Sequence, residues 1–131
     1  MPERSVVSIV ENDAFVREAT GGLVRSLGLT AITFASAEDF LQSGRIKDTL
    51  CIIADVQMPG LSGLELQIYL LAQGHRTPII FITAFPEERI RAQALASGAV
   101  GFLSKPFKEE CLISCIDTAL KSHGNGTIEK E

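Results

Sequence analysis

"CIIADVQMPGLSG" (residues 51–63) runs four apolar residues straight into a carboxylate, Asp55, and meets Met58-Pro59-Gly60 three residues later. The apolar run has the make-up of a buried strand. Such strands rarely end in an ionised group, because removing it from water costs several kcal/mol unless something pairs with it. Asp55 therefore needs partners, and the rest of the chain has to supply them.

Similar runs lie on both sides. "VVSIV" (6–10) is a short β-branched strand, and residues 15 to 27 then carry apolar side chains at 15, 16, 19, 23, 24 and 27, a helical stripe stopped by Gly28. "TAITF" (30–34) is a second strand, weaker because it alternates. Ser36 and Asp39 resemble a capping box for a brief helix through Leu41, ended by Gly44. After the third strand (50–54), Ser62-Gly-Leu-Glu65 is a full capping box for a helix to about Gly74. "PIIFIT" (78–83) is the fourth strand, and Pro86 with Glu87 and Glu88 starts the next helix, ended by Gly98. "VGFLS" (100–104) is the fifth strand. A fifth helix from Phe107 to Lys121 places Leu112, Ile113, Ile116 and Leu120 on one face, behind a solvated first turn of Lys108, Glu109 and Glu110. Residues 1–121 form one domain, and the patternless 122–131 reads as a polar tail, either a linker or a frayed end.

Five β-α repeats with continuous apolar strands imply an α/β fold, a parallel sheet covered on both faces. Right-handed crossovers favour a doubly wound sheet in the flavodoxin-like order 2-1-3-4-5, with ligands at the carboxyl ends of the strands, between the first and third. Composition agrees: 131 residues suffice for one domain, with 46% hydrophobic and 21% charged residues. The net charge of −4 argues against a nucleic-acid surface here. Cys51 reads as core; Cys111 and Cys115, one helical turn apart, could be core or surface thiols. Without zinc spacing, a signal peptide or a membrane-length apolar stretch, a reducing cytoplasm is the expected location.

The sheet order gives Asp55 its company. The first strand ends at Glu11, Asn12 and Asp13, the fourth at Thr83, and the fifth near Lys105-Pro106. Crowded carboxylates repel, and a hard cation resolves the repulsion. Mg2+ prefers one or two carboxylates with waters and phosphate oxygens, and a lysine and a hydroxyl opposite would hold phosphoryl oxygens. The set reads as a carboxylate that accepts a phosphoryl group with Mg2+ assistance. Each residue alone has an ordinary role: a turn at Asp55, a cap at Asn12 or Asp13, a strand-end hydroxyl at Thr83, a surface charge at Lys105. Their convergence on one rim is what speaks for a site.

"SIVEND", "IIADVQMPGLSGLEL", "PIIFITA" and "ASGAVGFLSKPF" resemble the receiver domain of two-component response regulators over roughly residues 5 to 121, most closely the subgroup preceding a helix-turn-helix output domain. The resemblance implies that Asp55 is phosphorylated by a sensor histidine kinase, a phosphotransfer protein or small phosphodonors. It implies that Glu11, Asn12, Asp55 and the backbone carbonyl of Gln57 hold Mg2+ or Mn2+. Thr83 and Lys105 then match the phosphate-contacting pair, Lys105-Pro106 a cis peptide, and Thr83 with Phe102 the switch. The expected response is remodelling of the surface of the fourth helix, fifth strand and fifth helix, which controls a homodimer or an output domain. No membrane contact and no direct nucleic-acid binding by this domain are expected. Nor is enzymatic turnover, beyond autocatalytic phosphorylation and slow self-dephosphorylation.

One departure stands out. The second acidic position of that family, normally Asp, is Asn12, which brings an oxygen but no charge, so weaker Mg2+ binding is expected; Asp13 reads as a helix cap. The departure also motivates an alternative, a phosphorylation-independent pseudo-receiver acting as an interaction module. An aspartyl-nucleophile phosphatase would need a second Asp at position 57, where Gln57 stands. A flavin site would need Ser, Thr and Gly amides where "ENDAF" is acidic.

Overall fold

The computed structural model describes residues 6–128, with side-chain surroundings through residue 121. Five strands, β1 (Val6–Val10), β2 (Thr30–Phe34), β3 (Thr49–Asp55), β4 (Ile79–Thr83) and β5 (Gly101–Ser104), form one parallel sheet in the order β2-β1-β3-β4-β5. The expected α/β order is therefore observed. β1, β3 and β4 carry apolar side chains on both faces because helices cover both. β2, at the edge, is half exposed, which is why its sequence alternates.

The helices are α1 (Ala14–Ser26), α2 (Ala37–Ser43), α3 (Gly63–Ala72), α4 (Glu88–Ala96) and α5 (Glu109–Ile128). One core layer joins Phe40, Leu66, Leu70 and Ala94 to Val10, Ile52, Ala54 and Phe81 of the sheet. The opposite layer joins Val24, Leu112, Ile116 and Ala119 to Val7, Ile9, Cys51, Ile53, Ile80 and Ile82. Alternate residues of each central strand thus feed different layers.

Several boundaries move for identifiable reasons. α2 continues to Ser43, with Ser36 Oγ accepting from the Asp39 amide at 3.0 Å and Gly44 closing it in the left-handed region at φ 72°. Pro86 stands just outside α4 rather than in its first turn: Glu87 is the extended cap, and the first helical bond runs from the Arg91 amide to the Glu87 carbonyl. A 3-10 turn at Arg45–Asp48 leads into β3, and Thr49 Oγ1, 2.7 Å from Ser8 Oγ, satisfies that buried hydroxyl. α5 runs through Ile128, past Lys121 and into the stretch read as a patternless tail. Phe15, on the apolar stripe of α1, stands 84% exposed, while Thr20 and Gly21 join Val24 against the sheet. It sits in the first turn, above the end of the strands.

Candidate functional site

Strand register builds the site. Val10 lies beside Ala54, Asp55 beside Ile82, and Thr83 beside Ser104, so the residues that follow β1, β3, β4 and β5 emerge along one rim. The ladder continues past the strand ends: the Glu11 amide donates to the Phe34 carbonyl, Val56 to Ile82, and Lys105 to Thr83, at 2.8–3.0 Å. Glu11, Asp55 and Lys105 are thus placed by backbone before their side chains meet.

The meeting is close. Lys105 Nζ lies 3.0 Å from Glu11 Oε1 and 3.0 Å from Asp55 Oδ2. Glu11 is fully buried and Asp55 is 5% exposed. Asp55 Oδ2 accepts a hydrogen bond from the ammonium, and Oδ1 accepts one from the Gln57 amide at 3.0 Å. Glu11 Oε2 accepts from the Asp13 amide at 2.9 Å. Glu11 Oε1, despite its proximity to Nζ, lies off hydrogen-bonding geometry and has no hydrogen-bond partner. Two carboxylates share one ammonium, so negative charge is in excess where water is scarce. Burial pushes the Glu11 carboxyl above its ordinary range; the hydrogen bond from the Asp13 amide and the nearby Lys105 ammonium oppose this, and the charge of Asp55 adds to it. For Lys105, burial alone would lower the pKa, but the hydrogen bond to Asp55 and the two nearby carboxylate charges outweigh it and hold it above its ordinary value.

The remaining candidates are placed unequally. Asn12 is exposed, with its carbonyl 3.4 Å from Arg17 Nη1. The side chain of Gln57 is exposed too. Thr83 is buried at the end of β4, and its Oγ1 accepts from the Phe85 amide at 3.1 Å. The Lys105–Pro106 peptide is cis. Phe102 is half-buried in the layer of α3 and α4, its ring 6.4 Å from that of Phe81, behind the rim rather than on it. Asp13 caps α1 by accepting from the amides of Phe15 and Val16.

The pattern for response regulator receiver domains matches residues 7–117. The chain belongs to that family. This receiver is 43% identical over 119 residues to the response regulator protein TmoT of Ectopseudomonas mendocina, a match spanning 91% of this chain and 54% of TmoT. It is 38% identical over 120 residues to the transcriptional regulatory protein FixJ of Azorhizobium caulinodans, spanning 92% of this chain and 57% of FixJ. Among solved structures, the response regulator StyR superposes with a TM-score of 0.87 at 37% identity, over 95% of this chain and 63% of that one. The chain thus spans about half the length of the curated relatives it matches.

Three features of this receiver's rim had no signal in the sequence. Arg17 Nη1 donates to the Glu11 carbonyl at 2.9 Å and fastens the first loop to α1. Gly63 brings the start of α3 against the acceptor loop: its amide donates to the Val56 carbonyl at 2.9 Å, and a Cβ there would overlap the Asp55 carbonyl oxygen. Glu38, from α2, accepts from the Leu61 amide at 2.8 Å. A lone glycine inside a capping box or a glutamate in a first helical turn suggests only local roles. Beside the rim, Phe15, Val16, Leu23, Pro106 and Phe107 line an apolar groove of about 480 Å³. Among the described residues no helix is long and apolar enough to cross a membrane.

Proposed function

We propose that this receiver takes up one phosphoryl group on Asp55, in a step that needs a divalent cation, and that the added charge resets its α4-β5-α5 surface. The observation that carries this reading is the part-buried Lys105 ammonium placed 3.0 Å from both Glu11 and Asp55. A fold gains little from two carboxylates on one lysine. A site that must receive a dianionic group gains a fixed positive charge facing its nucleophile.

The donor set fits a hard cation. Glu11 Oε1 is a buried acceptor with no hydrogen bond, and the Asp55 carboxylate stands next to it around the same ammonium. Asn12 would add an amide oxygen and Gln57 its backbone carbonyl. Among the described residues no group of three or more His, Cys, Asp and Glu side chains is arranged for a metal, so the carboxylate ligands would be Glu11 and Asp55 alone. Bound Mg2+ or Mn2+ would neutralise phosphoryl oxygens as they approach the carboxylates.

The residues act as follows. An Asp55 oxygen attacks phosphorus; the bond from phosphorus to the donor, a histidine nitrogen of a partner kinase or the oxygen of a small phosphodonor, breaks with its electron pair leaving on the donor. Lys105 moves its interaction from carboxylate to phosphoryl oxygen. The Thr83 hydroxyl, which already accepts from Phe85, has its proton free to donate to another oxygen. That movement makes room for Phe102, whose ring lies in the layer beneath α4. The new group adds roughly −1.5 to −2 charge, and a population shift needs only a few kcal/mol of differential contact. The exposed Phe15 and its groove offer apolar contact to the protein that brings the phosphohistidine. A homodimer, or a nucleic-acid-binding output domain in a longer protein of the cytoplasm, would read the changed surface. No separate substrate is turned over, because Gln57 cannot serve as an acid and base beside Asp55.

Intact-protein mass after incubation with acetyl phosphate and Mg2+ tests this. The expected result is a gain of one phosphoryl group, absent without the metal and absent in Asp55→Asn. No gain in the parent would leave a phosphorylation-independent interaction module.

A further inference from the structure

Glu38 lies in the first turn of α2 and does something for a loop it does not belong to. Its Oε2 accepts from the Leu61 amide at 2.8 Å, across 23 residues of sequence. The same oxygen lies against Gly60, which has φ +76° and where a Cβ would come within 2.5 Å of it. The acceptor loop is otherwise tied at its ends. The Gln57 amide folds back to Asp55 Oδ1, the Ser62 amide donates to Glu65, and the Gly63 amide donates to Val56. Met58 and Leu61 add packing against the core. For residues 58–61, the hydrogen bond to another element among the described residues is the one to Glu38.

We infer that Glu38 is a positioning residue for the phosphoacceptor loop: by holding the Leu61 amide it fixes the turn that presents Asp55 and the Gln57 carbonyl. The physical argument is geometric. A glycine in the left-handed region is free to swing, and a loop with one free pivot spends much of its time away from the reactive arrangement. A hydrogen bond from the next residue's amide to the Glu38 side chain removes that freedom, and orientation of this kind controls rate steeply. The inference rests on the phosphoacceptor reading, and its test separates the two.

Parent, Glu38→Ala and Glu38→Gln are compared for amide exchange at Gly60 and Leu61 without metal, and for the rate of phosphoryl uptake from acetyl phosphate at saturating Mg2+. Glu38→Ala is expected to speed exchange at Leu61 and to slow uptake about tenfold, with the melting temperature nearly unchanged. Glu38→Gln, which keeps an acceptor oxygen, is expected to stay close to the parent in both. Parental uptake in Glu38→Ala overturns the proposal even where exchange is faster. So does a Glu38→Gln as slow as the alanine variant, since charge rather than the hydrogen bond would then be acting. A parent that gains no phosphoryl mass refutes the phosphoacceptor reading, and unchanged Leu61 exchange in Glu38→Ala refutes the clamp itself.

Discussion

Glu11 is the residue on which the electrostatics of the rim turn. Buried, with one oxygen lacking a hydrogen bond and Asp55 beside it, its carboxyl is held above its ordinary pKa of 4.5. A carboxyl raised in the folded state binds its proton more tightly there than in the unfolded chain. Its contribution therefore favours folding at low pH and is lost as pH rises through the raised value. Glu11→Gln should accordingly raise the melting temperature of the metal-free protein at pH 7 and give a smaller gain near pH 4.5. Thermal denaturation at the two pH values checks this, and an equal gain at both would remove the electrostatic account. Asn12 is the second case. With an amide where a third carboxylate could stand, the site lacks one unit of attraction for a divalent ion. Asn12→Asp should lower the Mg2+ midpoint for phosphorylation several-fold, on the order of 1 kcal/mol. Equal midpoints would show that the exposed position 12 does not reach the ion.

Among the elements, α4 is the helix held by fewest side chains at its start. Of its side chains only Ala94 is buried, and its cap, Glu87, makes no side-chain hydrogen bond. Its far end is fastened: the Ala94 carbonyl accepts from the Ala99 amide at 3.0 Å and from Gln67 Nε2 of α3 at 3.2 Å. The free end follows directly on the Thr83 loop, so under the proposed switch a pull at Thr83 would swing α4 about a pinned terminus. Replacing the buried Gln67 by Leu removes the pin at similar volume, and the Ala94 carbonyl keeps its bond from the Ala99 amide, so the cost to global stability is small. Gln67→Leu is expected to speed amide exchange in residues 94–99 several-fold at an unchanged melting temperature; unaltered exchange would deny the pin. The same elements show why some of the site was legible in sequence and some was not. Period-two burial and parallel pairing force every strand end onto one edge, so Asp55, Glu11, Thr83 and Lys105 could be gathered from strand positions alone. Glu38 and Gln67 act through partners distant in sequence, Arg17 and Gly63 fasten irregular loops, and no periodicity marks such contacts. Phe102 was legible as strand, yet only packing shows it beneath α4 rather than on the rim. The turn at Arg45–Asp48 is too short for a period, and the end of α5 carries no apolar stripe to announce it.

At the scale of the whole molecule, a ligand at the rim should be felt in the deepest part of the sheet. Cys51 sits in β3, wholly buried among Ile53, Ile80 and Ile116. Burial, then the neighbouring Cys115 thiol, pushes its pKa up to about 12, so in the native state it is neither ionised nor accessible at pH 8. Cys111, on the outer face of α5, is exposed. Labelling Cys51 with a thiol reagent therefore requires the sheet to open, and when reclosing outpaces labelling its rate reports the global unfolding equilibrium. Cys111 serves as a control in the same molecule. A cation that binds only the folded rim lowers the unfolded population by the factor 1 + [L]/Kd. Adding Mg2+ at ten times its dissociation constant should thus slow Cys51 labelling about elevenfold, while Cys111, read by peptide mass in the same sample, keeps its rate. In Glu11→Gln, with one buried oxygen ligand neutralised, the protection should need more Mg2+. Labelling of Cys51 as fast as Cys111 would contradict the buried β3. A Cys51 rate indifferent to Mg2+ would mean that the charge excess of the rim is resolved by Lys105 alone.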